Sequence, residues 1–174
     1  MGRGALAEAF VQADWPADTN GVLLTGPYMP PEVRQRLRRH TTAHPRLRVV
    51  EFIPEPAPLL QQADRVIAMG GYNTVAEVLS FEKPALIVPR ATEQSVRAER
   101  LHELGLVDVL HLDSLHPGAL TKWLSRDVAP PQVHQRIDFN GLSRLPRLLE
   151  DVLAGPSHAD ARRPYEGVLQ HAAV

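Results

Sequence analysis

The strongest constraint on the fold is a regular alternation between short apolar runs and longer amphipathic segments. Several of the apolar runs end in glycine or proline, as buried strands of a parallel sheet do. The segments between them carry apolar residues at the i, i+3, i+4 and i+7 positions that line one face of a helix. Strands that alternate with helices predict a parallel sheet with helices on both faces. We therefore expect one Rossmann-like α/β domain over residues 1–154.

The alternation predicts five strands and seven helices before a polar tail. The strands are expected at 22–25, 48–53, 65–69, 85–88 and, as an edge strand, 107–112. The helices are expected at 6–13, 31–40, 59–63, 74–81, 92–104, 117–125 and 142–153. Residues 155–174 are polar and rich in small residues, so we expect a loosely ordered tail there.

The amino-acid composition excludes several classes of function for this protein. The formal net charge of −1 gives no basic excess for binding nucleic acid, which excludes that partner as a bulk electrostatic one. The chain has no cysteine, so disulfides and thiolate metal sites are excluded. No apolar run reaches the length of about 20 residues that a membrane span needs, and the N-terminus has no signal-like stretch. We expect a cytoplasmic protein.

The loop after the third predicted strand has the composition of an anion site. Two glycines, Gly70 and Gly71, follow Met69, and a helix is expected to begin at Asn73 or Thr74. Backbone N–H groups and the positive end of the helix dipole would then face a ligand above the sheet. A second interpretation is equally open: Thr74 and Glu77 have the spacing of a capping box.

A second polar stretch follows the next strand, so it is expected to open onto the same crevice. Its adjacent Glu93 and Gln94 can accept from and donate to neighbouring hydroxyls of a sugar ring. The alternative interpretation is local: Thr92 is the N-cap of a helix, and Glu93 is a first-turn acid that complements the helix dipole.

These two stretches together resemble the donor-binding signature of GT-B glycosyltransferases. The ordered matches are Gly71-Tyr72-Asn73-Thr74, Glu77, Lys83-Pro84, Pro89 and Glu93-Gln94. Upstream, Glu51-Phe52-Ile53-Pro54, Leu59-Leu60 and Ala63-Asp64 resemble the strand and helix before that signature in the peptidoglycan N-acetylglucosaminyltransferase. Residues 1–153 follow the order of the C-terminal domain of family 28, which includes bacterial predicted glycosyltransferases.

The resemblance implies a binding site for a nucleotide sugar, with a UDP-linked donor expected. The implied contacts are Gly70, Gly71, Asn73 and Thr74 for the diphosphate, Glu77 for the ribose, Glu93 and Gln94 for the sugar, and Phe52 and Ile53 for the base. Met69 departs from the pattern, because the plant members have a phosphate-contacting histidine there. Diphosphate binding is therefore expected to depend more on backbone groups.

Two further departures concern what surrounds this site. The segment Met1-Gly2-Arg3-Gly4-Ala5 resembles the glycine-rich loop that follows the first strand of the family's C-terminal domain, so we expect that strand to be lacking. An exposed sheet edge would favour homodimerisation. The acceptor-binding domain, which supplies the base in the family, has no counterpart here. We identify no catalytic residue, no metal site and no cofactor, and we expect an acceptor-binding domain or partner chain.

Three hypotheses of function follow. The leading one is the donor-binding domain of an inverting glycosyltransferase, which needs its acceptor-binding partner for transfer. The second is part of a sugar-nucleotide epimerase of the same fold, although its acidic catalytic residues are not evident. The third is a non-catalytic interaction module in which Glu77 only caps a helix.

Overall fold

The computed structural model describes residues 4–154, and strands and helices alternate along them as predicted. The strands are β1 (Gly21–Leu24), β2 (Leu47–Val50), β3 (Val66–Ala68), β4 (Ala85–Ile87) and β5 (Asp108–Val109). The helices are α1 (Ala5–Gln12), α2 (Pro31–Thr42), α3 (Ala57–Gln62), α4 (Tyr72–Ser80), α5 (Thr92–Glu103), α6 (Pro117–Leu124) and α7 (Gly141–Leu153). The predicted tail at 155–174 lies outside the described residues.

All strand pairs are parallel, and the hydrogen bonds divide the strands into two sheets. One sheet has the order β1-β2 and the other has the order β3-β4-β5. β5 lies at an edge, as predicted. Helix α1 packs against α2 and α6 and contributes to the apolar clusters of both sheets. Within residues 4–154 no strand joins the two sheets.

The three-stranded sheet is covered by helices on both faces. Alternation along β4 sends Ala85 and Ile87 to one face and Leu86 to the other. The first face packs against α4 and α5 through an apolar cluster that includes Val78 and Leu101. The second face packs against α1 and α6. This is the predicted arrangement of helices on both faces, and it places β4 at the centre of the core.

The two-stranded sheet is covered less completely. Leu23 of β1 and Val49 of β2 are paired in register and pack against the cluster formed by α1 and α2. The residues on either side of Leu23 point the opposite way, because side chains alternate along a strand. Val22 is 40% exposed and Leu24 is 37% exposed. This sheet therefore buries one face and leaves apolar side chains accessible on the other.

Two predicted boundaries near the candidate site were wrong. β2 ends at Val50 and does not continue to Ile53, so Phe52 and Ile53 lie in the loop that follows. α4 begins at Tyr72, ahead of the predicted start at Asn73 or Thr74. Both errors came from side-chain preference, whereas backbone pairing and the turn at the glycines decide where these elements begin and end.

The C-terminal part of the described chain differs from the rest. Two short 3-10 turns, Leu112–Ser114 and Val133–Gln135, were not predicted. α7 begins at Gly141 and keeps Pro146 in its interior, and every residue of this helix is exposed. Among residues 4–154, none of the helices is long and apolar enough to cross a membrane.

Candidate functional site

The loops that follow β3 and β4 meet at one edge of the three-stranded sheet. β3 and β4 are adjacent and parallel, so their carboxyl ends open on the same side. A Cβ placed on Gly70 would lie 3.5 Å from Cβ of Gln94. The glycine loop therefore contacts the first turn of α5, and the structure brings together the two polar stretches that the sequence placed at one crevice.

Gly70 requires glycine for two separate reasons. Its φ of +82° lies in the left-handed region that side chains disfavour. An added Cβ would also approach Cγ2 of Ile87, in the central strand, to 3.0 Å. The loop backbone is thus seated directly on the buried core. This support fixes the position from which α4 starts.

The N-terminus of α4 is open. Gly71 is the N-cap, Tyr72 is the first helical residue, and no side chain caps the helix. The predicted capping box of Thr74 and Glu77 is therefore wrong, because Thr74 lies inside the first turn. The first N–H groups of a helix have no intrahelical partner. Nothing lies within 4 Å of the place that a Cβ on Gly71 would take, so an anion can reach these donors.

Glu77 lies in the second turn of α4, because the helix begins one or two residues before its predicted start. Its side chain is half-buried, yet its carboxylate has no hydrogen-bond or ion-pair partner among residues 4–154. A partly desolvated carboxylate is stabilised by donors that it can accept from. Glu77 is therefore available to a ligand that offers hydroxyl groups.

The N-terminus of α5 is built differently from the prediction. Its N-cap is Ala91, and Thr92 is the first helical residue. Gln94 reaches back so that its Oε1 accepts from the backbone N–H of Arg90 at 2.9 Å. Glu93 lies in the first turn, as expected, and is exposed. The Gln94 side-chain oxygen thus binds the loop that precedes α5. The amide N–H groups of Gln94 and the Glu93 carboxylate remain available for other contacts.

Two arginines contact the glycine loop and were missed by the sequence reasoning. Nη1 of Arg90 lies 3.8 Å from Sδ of Met69. Nη2 of Arg97 donates to the Gly70 carbonyl at 2.9 Å, and its Cζ lies 5.4 Å from the centroid of the Tyr72 ring. The spacing of Arg97, three residues after Gln94 on a helix, places both on one face and is a signal that could have found it.

Phe52 and Ile53 stand apart from these contacts. They follow the carboxyl end of β2, in the two-stranded sheet, and Phe52 is 63% exposed. No hydrogen bond or aromatic contact among the described residues joins them to the glycine loop. The structure therefore brings the residues predicted for the phosphates and for the sugar together, and it does not join the residues predicted for the base to them.

A family model of known proteins covers nearly the whole described chain. Residues 4–149 match the glycosyltransferase family 28 C-terminal domain. The chain belongs to this family. The predicted C-terminal half of a GT-B glycosyltransferase is confirmed, and every predicted site residue falls within the match.

Individual relatives of the chain are glycosyltransferases. NDP-glycosyltransferase YjiC of Bacillus licheniformis is 28% identical over 130 residues, which cover 75% of the chain and 30% of that protein. An uncharacterised glycosyltransferase of Methanosarcina acetivorans is 29% identical over 139 residues, covering 79% of the chain and 33% of that protein. The family 28 domain described here thus spans about a third of the length of these relatives.

Solved structures show the same fold. Glycosyltransferase VinC in complex with dTDP has a TM-score of 0.60 and 25% identity, covering 75% of the chain and 33% of VinC. The calicheamicin glycosyltransferase CalG4 has a TM-score of 0.56 and 28% identity, covering 86% and 38%. Both are GT-B glycosyltransferases, so the architecture of the family 28 domain agrees with their C-terminal halves.

Proposed function

We propose that this chain is the donor-binding domain of an inverting glycosyltransferase and binds a UDP-linked sugar. The observation that carries the proposal is the contact between Gly70 and Gln94, which brings two open helix N-termini to one crevice. The complex of VinC with dTDP supports a nucleoside diphosphate as the ligand.

The diphosphate is placed at the start of α4. The backbone N–H groups of Gly71, Asn73 and Thr74 lie at an uncapped helix N-terminus, where the dipole favours negative charge. The Asn73 and Thr74 side chains add donors of their own. Since the Met69 side chain offers no N–H group, the backbone supplies most of the binding energy for the phosphates.

The other parts of the donor are assigned by chemistry. The Glu77 carboxylate, which is half-buried and without a protein partner among residues 4–154, accepts from the ribose hydroxyls. Glu93 and the amide of Gln94 bind hydroxyls of the sugar. The exposed ring of Phe52, with Ile53, borders the uracil, since an aromatic face can stack on a base.

The transfer step follows from this placement. An acceptor hydroxyl oxygen attacks the anomeric carbon while the bond from that carbon to the diphosphate oxygen breaks, which inverts the configuration. The negative charge that develops on the leaving diphosphate is stabilised by the helix N-termini. A base on the acceptor-binding domain, or on a partner chain, takes the hydroxyl proton.

Nucleotide binding tests the proposal directly. We expect one nucleotide among UDP, UDP-N-acetylglucosamine, UDP-glucose, dTDP and GDP to raise the thermal midpoint of the chain. Ligand at 100 times its dissociation constant stabilises a protein by about 2.7 kcal/mol, which corresponds to a rise of roughly 5 to 10 °C for a domain of this size. Glu77→Ala should abolish the rise, and Gln94→Ala should reduce it only for the sugar-bearing form.

The control is Glu103→Gln, which removes an exposed carboxylate at the other end of α5 and should leave the rise unchanged. A cooperatively melting chain that responds to none of the nucleotides would contradict the proposal. If Glu77→Gln also changed no ligand measurement, the non-catalytic interaction module would be the better description.

A further inference from the structure

Arg97 connects the second turn of α5 to the glycine loop. Its guanidinium donates to the Gly70 carbonyl at 2.9 Å and lies over the ring of Tyr72, with 5.4 Å between Cζ and the ring centroid. A planar guanidinium that is both stacked and hydrogen-bonded is restricted in position and in orientation. Arg97 therefore contacts the residues on both sides of Gly71.

The contact between Arg97 and the Gly70 carbonyl also fixes the direction of the Gly71 N–H, because both groups belong to one peptide bond. In a planar trans peptide the C=O group and the following N–H group point in opposite directions. Because the Gly70 carbonyl points to Arg97, the N–H of Gly71 points to the other side of the loop. Gly71 is also the N-cap of α4, and no atom lies within 4 Å of its missing Cβ. Arg97 thus sets the orientation of the peptide that carries the N–H of the N-cap residue of α4.

Two consecutive glycines would otherwise leave this loop free to adopt many conformations. Glycine loses more backbone freedom on ordering than any other residue. If the ligand had to order the loop, that cost would be subtracted from its affinity. The Arg97 side chain has no carboxylate partner among residues 4–154, so its charge is not neutralised by a protein acid.

We propose that Arg97 is a positioning residue that orders the Gly70–Gly71 peptide for the diphosphate of the donor. This inference rests on the proposed function and deepens it, because Arg97 acts through the loop and was not part of the predicted site. It makes the loop conformation dependent on α5, the helix that also carries the Glu93 and Gln94 pair.

The test compares Arg97→Gln and Arg97→Lys in the full chain. Isothermal titration calorimetry measures the affinity for the nucleoside diphosphate that binds the wild type best among UDP, dTDP and GDP, and for its monophosphate. We expect Arg97→Gln to lower the diphosphate affinity about tenfold or more, since a hydrogen bond from a charged donor is lost. The monophosphate affinity should fall less, and Arg97→Lys should not restore the loss, because an ammonium lacks the planar fork.

Arg100→Gln is the matched control, because it removes the same charge from the same helix at an exposed position that pairs with Glu103. It should bind both nucleotides as the wild type does. The thermal midpoint without ligand is measured for every variant, so that a folding defect is separated from a binding defect.

Several results would overturn the positioning role. They are unchanged diphosphate affinity in Arg97→Gln, equal losses for the diphosphate and the monophosphate, or full recovery in Arg97→Lys, which would indicate charge alone. A wild-type chain that binds none of the nucleotides would overturn the proposed function and this role together. A failure of the positioning role alone can be told apart from a failure of the proposed function, because only a failure of the proposed function is seen in the wild-type chain.

Discussion

The two sheets of this domain use the same kind of parallel pairing but differ in how they are covered. All three residues of β4 are buried, because β4 has a strand on each side and helices on both faces. In β1 only Gly21 is buried, and Val22 and Leu24 remain more than a third exposed. The two sheets therefore differ in burial because, within residues 4–154, helices cover both faces of one sheet and only one face of the other.

The difference also separates the candidate site into two parts. The glycine loop and the start of α5 stand on the well-packed sheet, with Gly70 seated against Ile87. Phe52 and Ile53 follow β2, which belongs to the sheet that is covered on one face. We therefore expect the phosphate part of the site to be preformed and the base part to depend on additional support.

The largest expected effect tests the contrast between the two cores. Ile87 is fully buried in β4, and truncation to alanine should destabilise the domain by about 3 to 4 kcal/mol. Leu23→Ala in β1 should cost about half as much, because Leu23 is only partly buried. Urea unfolding at constant m-value measures both losses. Equal losses in the free energy of unfolding would show that the two sheets are equally well packed and would contradict the difference described above.

An intermediate effect is expected in the loop that connects the core to the site. Gly70→Ala places a Cβ at positive φ and close to Ile87, and should destabilise by about 1 to 3 kcal/mol. Gly71 is the matched control, since its φ is −59° and the space around it is open. Gly71→Ala should change the free energy of unfolding by less than about 0.5 kcal/mol. If both substitutions cost the same in denaturant titrations, Gly70 is not seated on the core as described.

The smallest effect on stability is expected at the uncovered sheet. Val22→Lys replaces a side chain that is 40% exposed, so the free energy of unfolding should change by about 0.5 kcal/mol or less. We propose that the edge of β1 that has no neighbouring strand among residues 4–154 supports homodimerisation, and a lysine in that strand should oppose it. Light scattering after size exclusion over a concentration series would show a wild-type dimer that the variant weakens. A monomeric wild type at every concentration would contradict the dimer.

Most of the fold could be predicted because its signals are local. Apolar runs such as 85–88 and the helical spacing of 92–104 predicted their elements to within one or two residues. Gly105 follows this helix, and its φ of +69° with a bond from its N–H to the His102 carbonyl is the geometry with which glycine ends a helix. The prediction failed where a tertiary contact decided the ending, as at β2, and in the short 3-10 turns, which carry no periodic pattern.

The candidate site was predictable only in part, because helix caps are three-dimensional arrangements. Thr74 and Glu77 have the spacing of a capping box, yet the N-cap of α4 is Gly71, three residues before Thr74, which leaves both side chains free of that role. Thr92 has the chemistry of an N-cap, but Ala91 occupies that place. In both cases the backbone path out of a strand set the start of the helix, and the side-chain preference was overruled.

The sequence by itself determined the order of strands and helices, the family, and the turns at which the backbone requires glycine. These depend on hydrophobic periodicity, on an ordered motif, and on backbone conformations that only some residues adopt. The tertiary structure alone decided that residues 4–154 form two sheets, how closely Gln94 approaches Gly70, and that Arg97 binds the Gly70 carbonyl. These features join residues that are distant along the chain, and no local pattern of amino acids specifies how such residues meet.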